Sequence, residues 1–137
     1  MALVRMRGVI RQSVVLPAPA AKLFAMYLDA KKHAAFTGGG PVTISRKPNS
    51  AFKAFGGALS GRTLVVEAPY LIVQSWRSTN FGTNDPDSTL ILGFHETGRN
   101  RGRIDLIHLD VPKADFMGVS EGWKLYYWKP WRKYLAG

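Results

Sequence analysis

Cysteine is absent from all 137 residues. No disulfide can therefore hold the fold, and no thiolate can serve as nucleophile or metal ligand. The absence fits a reducing, cytoplasmic setting. Long apolar runs are also missing, and none approaches the roughly 20 residues of a membrane helix. Arginines interrupt the basic opening MALVRMRGVIRQSVVL, leaving no continuous apolar stretch for a signal peptide. It reads as mature protein beginning in a strand. Acids are scarce, with 9 against 19 Lys+Arg, a formal charge of +10 and no acid before Asp29. Such a field attracts anionic partners. The cations are scattered rather than clustered, however, which favours a charge serving solubility.

Several chemical signatures are missing as well. The acids stand alone along the chain, with no carboxylate pair for glycosidase-type work. The glycine runs at 38–40 and 56–57 lack the residues of a phosphate loop or dinucleotide fingerprint, and read as turns. GVSEG at 118–122 matches a nucleophile-elbow pattern literally. It sits near the start of a helix, however, and no acid or histidine follows Glu121. Its glycines are expected to let the helix approach the sheet closely. HLD at 108–110 would put His108 and Asp110 on one strand face. His95 and His33 lack the spacing to complete a metal site, so His108 is expected as a hydrogen-bonded interior residue. GRNRGR at 98–103 reads as an exposed turn. No catalytic residue, metal or cofactor is assigned.

What is present suits one globular domain over residues 1–137, with 46% hydrophobic and 20% charged residues. Ile10, Val14 and Leu16 alternate with Arg5, Arg7 and Arg11, which predicts a half-buried strand. Two short helices follow, with Asp29 ending the first and capping the second. From Val42 to Val111 the pattern is a meander of antiparallel strands, with Gly56-Gly57 as a two-residue hairpin turn and Pro112 as its end. The last segment contains GWKLYYWKPWRKYLAG, which holds three of the four tryptophans and three of the five tyrosines. At 100° per residue, Phe116, Val119, Trp123, Tyr127, Pro130, Trp131 and Tyr134 share one face of a long helix. Trp128 falls off that stripe, near Leu135, and is a candidate dimer contact. Pro130 is expected to kink the helix. The expected class is α+β: a curved antiparallel sheet against a long C-terminal helix.

Three stretches, RQSVVLPAPAAKLFAMYLDAKKHAAFTG, GRTLVVEAPYLIVQSWRS and GWKLYYWKPWRKYL, resemble the activator-of-heat-shock-protein-90-ATPase homologue family, in its C-terminal-type domain. The likeness spans residues 9–135. It is most specific at Trp76-Arg77 and at the Gly-Trp…Tyr-Tyr-Trp-x-Pro pattern from Gly122 to Pro130. The resemblance implies a START-like, Bet v-like helix-grip fold with two short helices after the first strand. It also implies a cavity between sheet and helix that takes hydrophobic small molecules.

The expected function is binding of a small hydrophobic or aromatic ligand in that cavity. Candidate wall residues are Trp123, Tyr127 and Trp131 from the last helix, with Tyr134 beyond them. Leu106 and His108 face them from a strand, beside Ile104. Trp76 and Phe94 come from neighbouring strands, and His33 and Phe36 from the short helices. His108 and Tyr127 are the candidate polar anchors. The alternatives are a chaperone-regulating module that docks an acidic protein, and a cyclase- or hydrolase-type enzyme. Nucleic acid is disfavoured, because a base-stacking platform needs its aromatics and cations on one exposed face. A monomer and a homodimer are both compatible with the sequence.

Overall fold

Alternation organises the first strand as expected. In the computed structural model, which describes residues 7–137, β1 (Arg7–Leu16) buries Ile10, Val14 and Leu16 and exposes Arg7 and Arg11. Arg5 lies outside the described residues. Helices α1 (Ala20–Leu28) and α2 (Ala30–Phe36) follow. The Asp29 carboxylate accepts the Lys32 N–H at 3.0 Å and so starts α2. Pro19 gives α1 no capping side chain, and the Glu96 carboxylate, from a later strand, accepts the Ala20 N–H instead.

Strands β2 (Ser50–Ala54), β3 (Leu59–Glu67), β4 (Leu71–Ser78), β5 (Ser88–Gly98) and β6 (Arg101–Pro112) form an antiparallel meander. Strand β1 returns to pair with β6, which gives the order β1-β6-β5-β4-β3-β2. One face is buried under the helices, with Ile72, Gln74 and Trp76 on β4, Leu90, Leu92 and Phe94 on β5, and Ile104, Leu106 and His108 on β6. Register shifts in the β1–β6, β3–β4 and β5–β6 pairs mark bulges, which bend and twist a sheet. At Gly61 β3 presses on β4 so closely that a Cβ would lie 1.9 Å from the Ser75 carbonyl oxygen.

Two expectations about the strands change. The β2–β3 connection is not a two-residue turn. Ala54 pairs with Leu59, so residues 55–58 form the loop. Phe55, Gly56 and Gly57 are successively left-handed, with φ of 52°, 64° and 97°. Phe55 leaves the strand to pack its ring 5.9 Å from those of Tyr126 and Tyr127. Asp110 does not share the face of His108. It sits at φ 60° in a bulge where β6 places Leu109 and Asp110 opposite Val9 alone, and is exposed, whereas His108 is fully buried.

The last helix starts with a 3-10 turn (Lys113–Asp115) and α3 (Phe116–Gly122). A π-helical turn (Trp123–Trp128) and α4 (Lys129–Ala136) complete it. In the π turn the Lys129 N–H bonds the Lys124 carbonyl, five residues back. The wide turn precedes Pro130, which has no N–H to give to the carbonyl four residues back. The helix therefore meets its proline through a π turn.

That extra residue per turn resets the phase of everything after it. Trp128, Trp131 and Leu135 turn toward the core, and Tyr134 becomes 46% exposed. Trp128 is no free contact residue. It is buried, stacks on Trp123 at 5.5 Å and donates its indole N–H to Gln12 Oε1 at 2.8 Å. Gln12 also donates to the Ser120 carbonyl at 2.8 Å, so one β1 side chain ties down both α3 and the π turn. Trp128→Ala is expected to cost about 3–5 kcal/mol of stability, the range for emptying a buried tryptophan site. It should leave the oligomeric state unchanged. Urea denaturation and analytical ultracentrifugation check the two halves of that statement.

Candidate functional site

The π turn directs three polar aromatic atoms into the protein, and each meets a different element. Trp128 reaches Gln12 of β1, as described. Tyr127 contacts His33 of α2, with its hydroxyl 2.8 Å from Nε2. Trp123 donates its indole N–H to His108 Nδ1 of β6 at 3.1 Å. The donors fix both tautomers. His33 Nδ1 lies 2.7 Å from the Tyr27 carbonyl, which can only accept, so Nδ1 carries the proton and Nε2 accepts from Tyr127. His108 Nδ1 accepts from Trp123, so Nε2–H donates to Ser88 Oγ at 2.8 Å, and Ser88 donates to the Trp76 carbonyl at 2.6 Å. A further chain runs from the Tyr27 hydroxyl to Gln74 at 2.7 Å and on to Thr63 at 3.1 Å.

Burial sets the charge state of these groups. It lowers His33 to a pKa of about 4, partly offset by the bond to the Tyr27 carbonyl. It lowers His108 to about 3. It raises Tyr127, and it raises Tyr27, where the neighbouring Tyr127 adds to the effect. Both histidines are thus neutral at neutral pH. The Ser88–His108 pair looks like a nucleophile and base, but both residues are fully buried and the hydroxyl proton is spent on a backbone carbonyl. It is a structural chain.

Beside these networks a cleft of about 430 Å³ lies between α3, the π turn and the β2–β3 side of the sheet. Aromatic walls come from Trp76 on β4, from Trp123, Tyr126 and Tyr127 on the π turn, and from Phe55 in the β2–β3 loop. Ala58, Leu59 and Val119 add aliphatic surface. Gly118 and Gly122 leave their part of the helix without side chains. Nothing of the sheet lies within 4 Å of a Cβ built at either, so they open the cleft rather than bring helix and sheet together. The polar lining is Ser78, Asn80 and Asp115. Ser78 donates to Asp115 Oδ2 at 3.1 Å and accepts the Asn80 N–H at 3.1 Å.

Of the residues expected to line a cavity, the structure brings Trp76, Trp123 and Tyr127 to the cleft. His33, Phe36, Phe94, Ile104, Leu106, His108 and Trp131 are buried in the packed interior behind it, and Tyr134 is exposed. Phe36 stacks on Trp131 at 4.0 Å and Phe94 meets Phe24 edge-on at 5.5 Å. Sequence reasoning missed Phe55, Ser78, Asn80, Asp115 and Tyr126. One signal was available: Gly118, Gly122 and Tyr126 recur every four residues and so share a helix face. Among the described residues no group of three or more metal-ligating side chains occurs, and no helix is long and apolar enough to cross a membrane.

The model of the family described as activator of Hsp90 ATPase homolog 1-like protein matches residues 17–136. The chain belongs to this family. Among relatives, the Activator of 90 kDa heat shock protein ATPase homolog of Dictyostelium discoideum is 24% identical over 101 residues, which are 74% of this chain and 26% of that protein. An uncharacterized protein of Schizosaccharomyces pombe is 35% identical over 74 residues, 54% of this chain and 22% of that one. This family member therefore spans about a quarter of the length of those curated relatives. Among solved structures, an HSP90 activator from Plasmodium falciparum superposes with a TM-score of 0.84 at 20% identity, covering 93% of this chain and 96% of that one. The likeness establishes the α+β helix-grip architecture.

The two neutral imidazoles make stability depend on pH. The unfolded chain binds protons near the ordinary histidine value of about 6.5, while the fold resists them until about 4 and 3. The stabilisation is therefore complete above about pH 6.5 and is lost as pH falls toward the folded values. Between pH 7 and pH 5 the loss should be on the order of 3 kcal/mol, read from urea melts at each pH. His33→Gln should roughly halve that slope, whatever it costs at pH 7.

Proposed function

We propose that this chain binds a small hydrophobic or aromatic molecule in the cleft beneath its last helix. The observation that carries the reading is the cleft's make-up: about 430 Å³ walled by five aromatic side chains, with its few polar groups gathered around Asp115. That volume lies within the range of small-molecule sites, and so does the pattern of an apolar wall with few polar contacts. Trp76, Trp123 and Tyr127 are held from behind by the histidine chains and by ring packing, so their part of the wall is preformed. A preformed wall lowers the ordering cost of binding.

A second reading has support from family membership and from the net charge of +10. In it the chain docks an acidic protein surface, such as that of a chaperone ATPase, with salt-sensitive association. A cyclase- or hydrolase-type reaction has less to stand on. Among the described residues Asp115 is the one carboxylate in the cleft lining, and no histidine joins it there.

A thermal-shift screen with lipids, phenols and fused-ring aromatics tests the first reading. A ligand at 100 times its Kd should add about 2.7 kcal/mol of stability. Gly122→Leu fills the cleft without backbone strain, since Gly122 is helical and its Cβ would meet the Tyr126 ring at 3.5 Å. This variant should melt at or above the wild-type temperature and lose the ligand-induced shift. No stabilisation by any compound class would overturn the reading. Enrichment of a chaperone from cell extract at low salt, unaffected by Gly122→Leu, would favour the second.

A further inference from the structure

The net charge suggests that this protein collects anions, but the cleft has the opposite character. Among the described residues no lysine or arginine lines it, and the one charged side chain there is the Asp115 carboxylate. The nearest basic residue in sequence, Lys113, is turned away, with Nζ 5.0 Å from the centre of the Phe116 ring.

Asp115 is also placed unusually for its position. It is the N-cap residue of α3, where an aspartate ordinarily accepts a backbone N–H of the first turn and adds about 1 kcal/mol of stability. Here its side chain makes no cap bond. The carboxylate faces Ser78 across the cleft lining instead, accepting its hydroxyl hydrogen bond at Oδ2, while Oδ1 lies toward Gly118. The glycine leaves the space beside that oxygen open. The same cleft is lined by Phe55, Trp76, Trp123, Tyr126 and Tyr127. Their π faces carry negative electrostatic potential and attract cations. A carboxylate beside an aromatic enclosure is the chemistry that recognises an alkylated ammonium group.

Resting on the small-molecule reading above, we infer that the ligand class is an organic cation: an aromatic or apolar body bearing a protonated or quaternary amine directed at Asp115. The basic exterior slows cation approach, and the cleft supplies the selectivity.

Three probes of one shape test this. They are naphthylmethyl-trimethylammonium, its neutral isostere with carbon in place of nitrogen, and naphthylacetate as the anion. Binding is followed by quenching of tryptophan fluorescence, since Trp76 and Trp123 line the cleft. The wild type should bind the cation at least ten-fold more tightly than the isostere, and the anion more weakly than either. Asp115→Asn keeps an acceptor for Ser78 and forfeits no cap bond, so it should fold normally. It should bring the affinity for the cation to within two-fold of that for the isostere. Gly122→Leu should abolish binding of all three. Equal affinity for cation and isostere, or tighter binding of the anion, would overturn the cation class and leave the pocket standing. A cation preference unchanged in Asp115→Asn would overturn the role of Asp115 and with it this inference. No binding of any probe would overturn the pocket reading and the cation class together.

Discussion

Six residues of widened helix, Trp123–Trp128, are the constraint on which the rest of this structure depends. On a regular α-helix, whose side chains advance about 100° per residue, Trp128 would point about 140° from Trp123, at the edge of the face shared by Tyr127, Trp131 and Leu135. The π turn accommodates them all. Each of its three inward aromatics then finds a polar partner on a different element: His108 of β6, His33 of α2 and Gln12 of β1. Apolar contact alone is non-directional and would let the helix slide or roll. These bonds fix its depth, tilt and rotation at once, at positions where an unpaired donor would cost about 1–3 kcal/mol.

The cleft follows from the same geometry. Seating Trp123 and Tyr127 on the histidine chains places Gly118 and Gly122, on the preceding turns, over a part of the sheet that no side chain fills. Gly61 adds to the effect from below. It lets β3 press onto β4 opposite Trp76, where any Cβ would strike the Ser75 carbonyl. Phe55 leaves the strand in a left-handed conformation and closes the aromatic wall against Tyr126 and Tyr127. The interior is packed where helix side chains are large and hollow where they are absent. The polar corner arises because Asp115 gives up its capping bond for one to Ser78.

Much of the fold was legible in the sequence because period and punctuation carry it. The parity of Ile10, Val14 and Leu16, the Asp29 cap between two short helices, and the turn signals between strands each correspond to an element in the structure. What the sequence hid depends on phase and on empty space. Stepping by 100° per residue put Tyr134 inside and Trp128 outside, an error of one residue that the π turn explains. His33, Phe36 and Trp131, expected as cavity walls, lie in the packed interior instead, because a large ring fills space as readily as it lines it. The contents of the cleft wall are decided by Gly118 and Gly122. Asp115 and Ser78 meet across 37 residues of chain, and no local pattern announces that pairing.

The ladder of indoles formed by Trp123, Trp128 and Trp131 has a consequence of its own. Its rings follow one another at 5.5 and 6.4 Å with interplanar angles of 23° and 24°. Chromophores so close share their electronic excitations. The protein should therefore carry a strong coupled signal in its ultraviolet circular dichroism, over and above that of its backbone. Because Trp128 joins the ladder only through the π turn, that optical signature reports the local winding of one helical turn in a way that overall helix content does not.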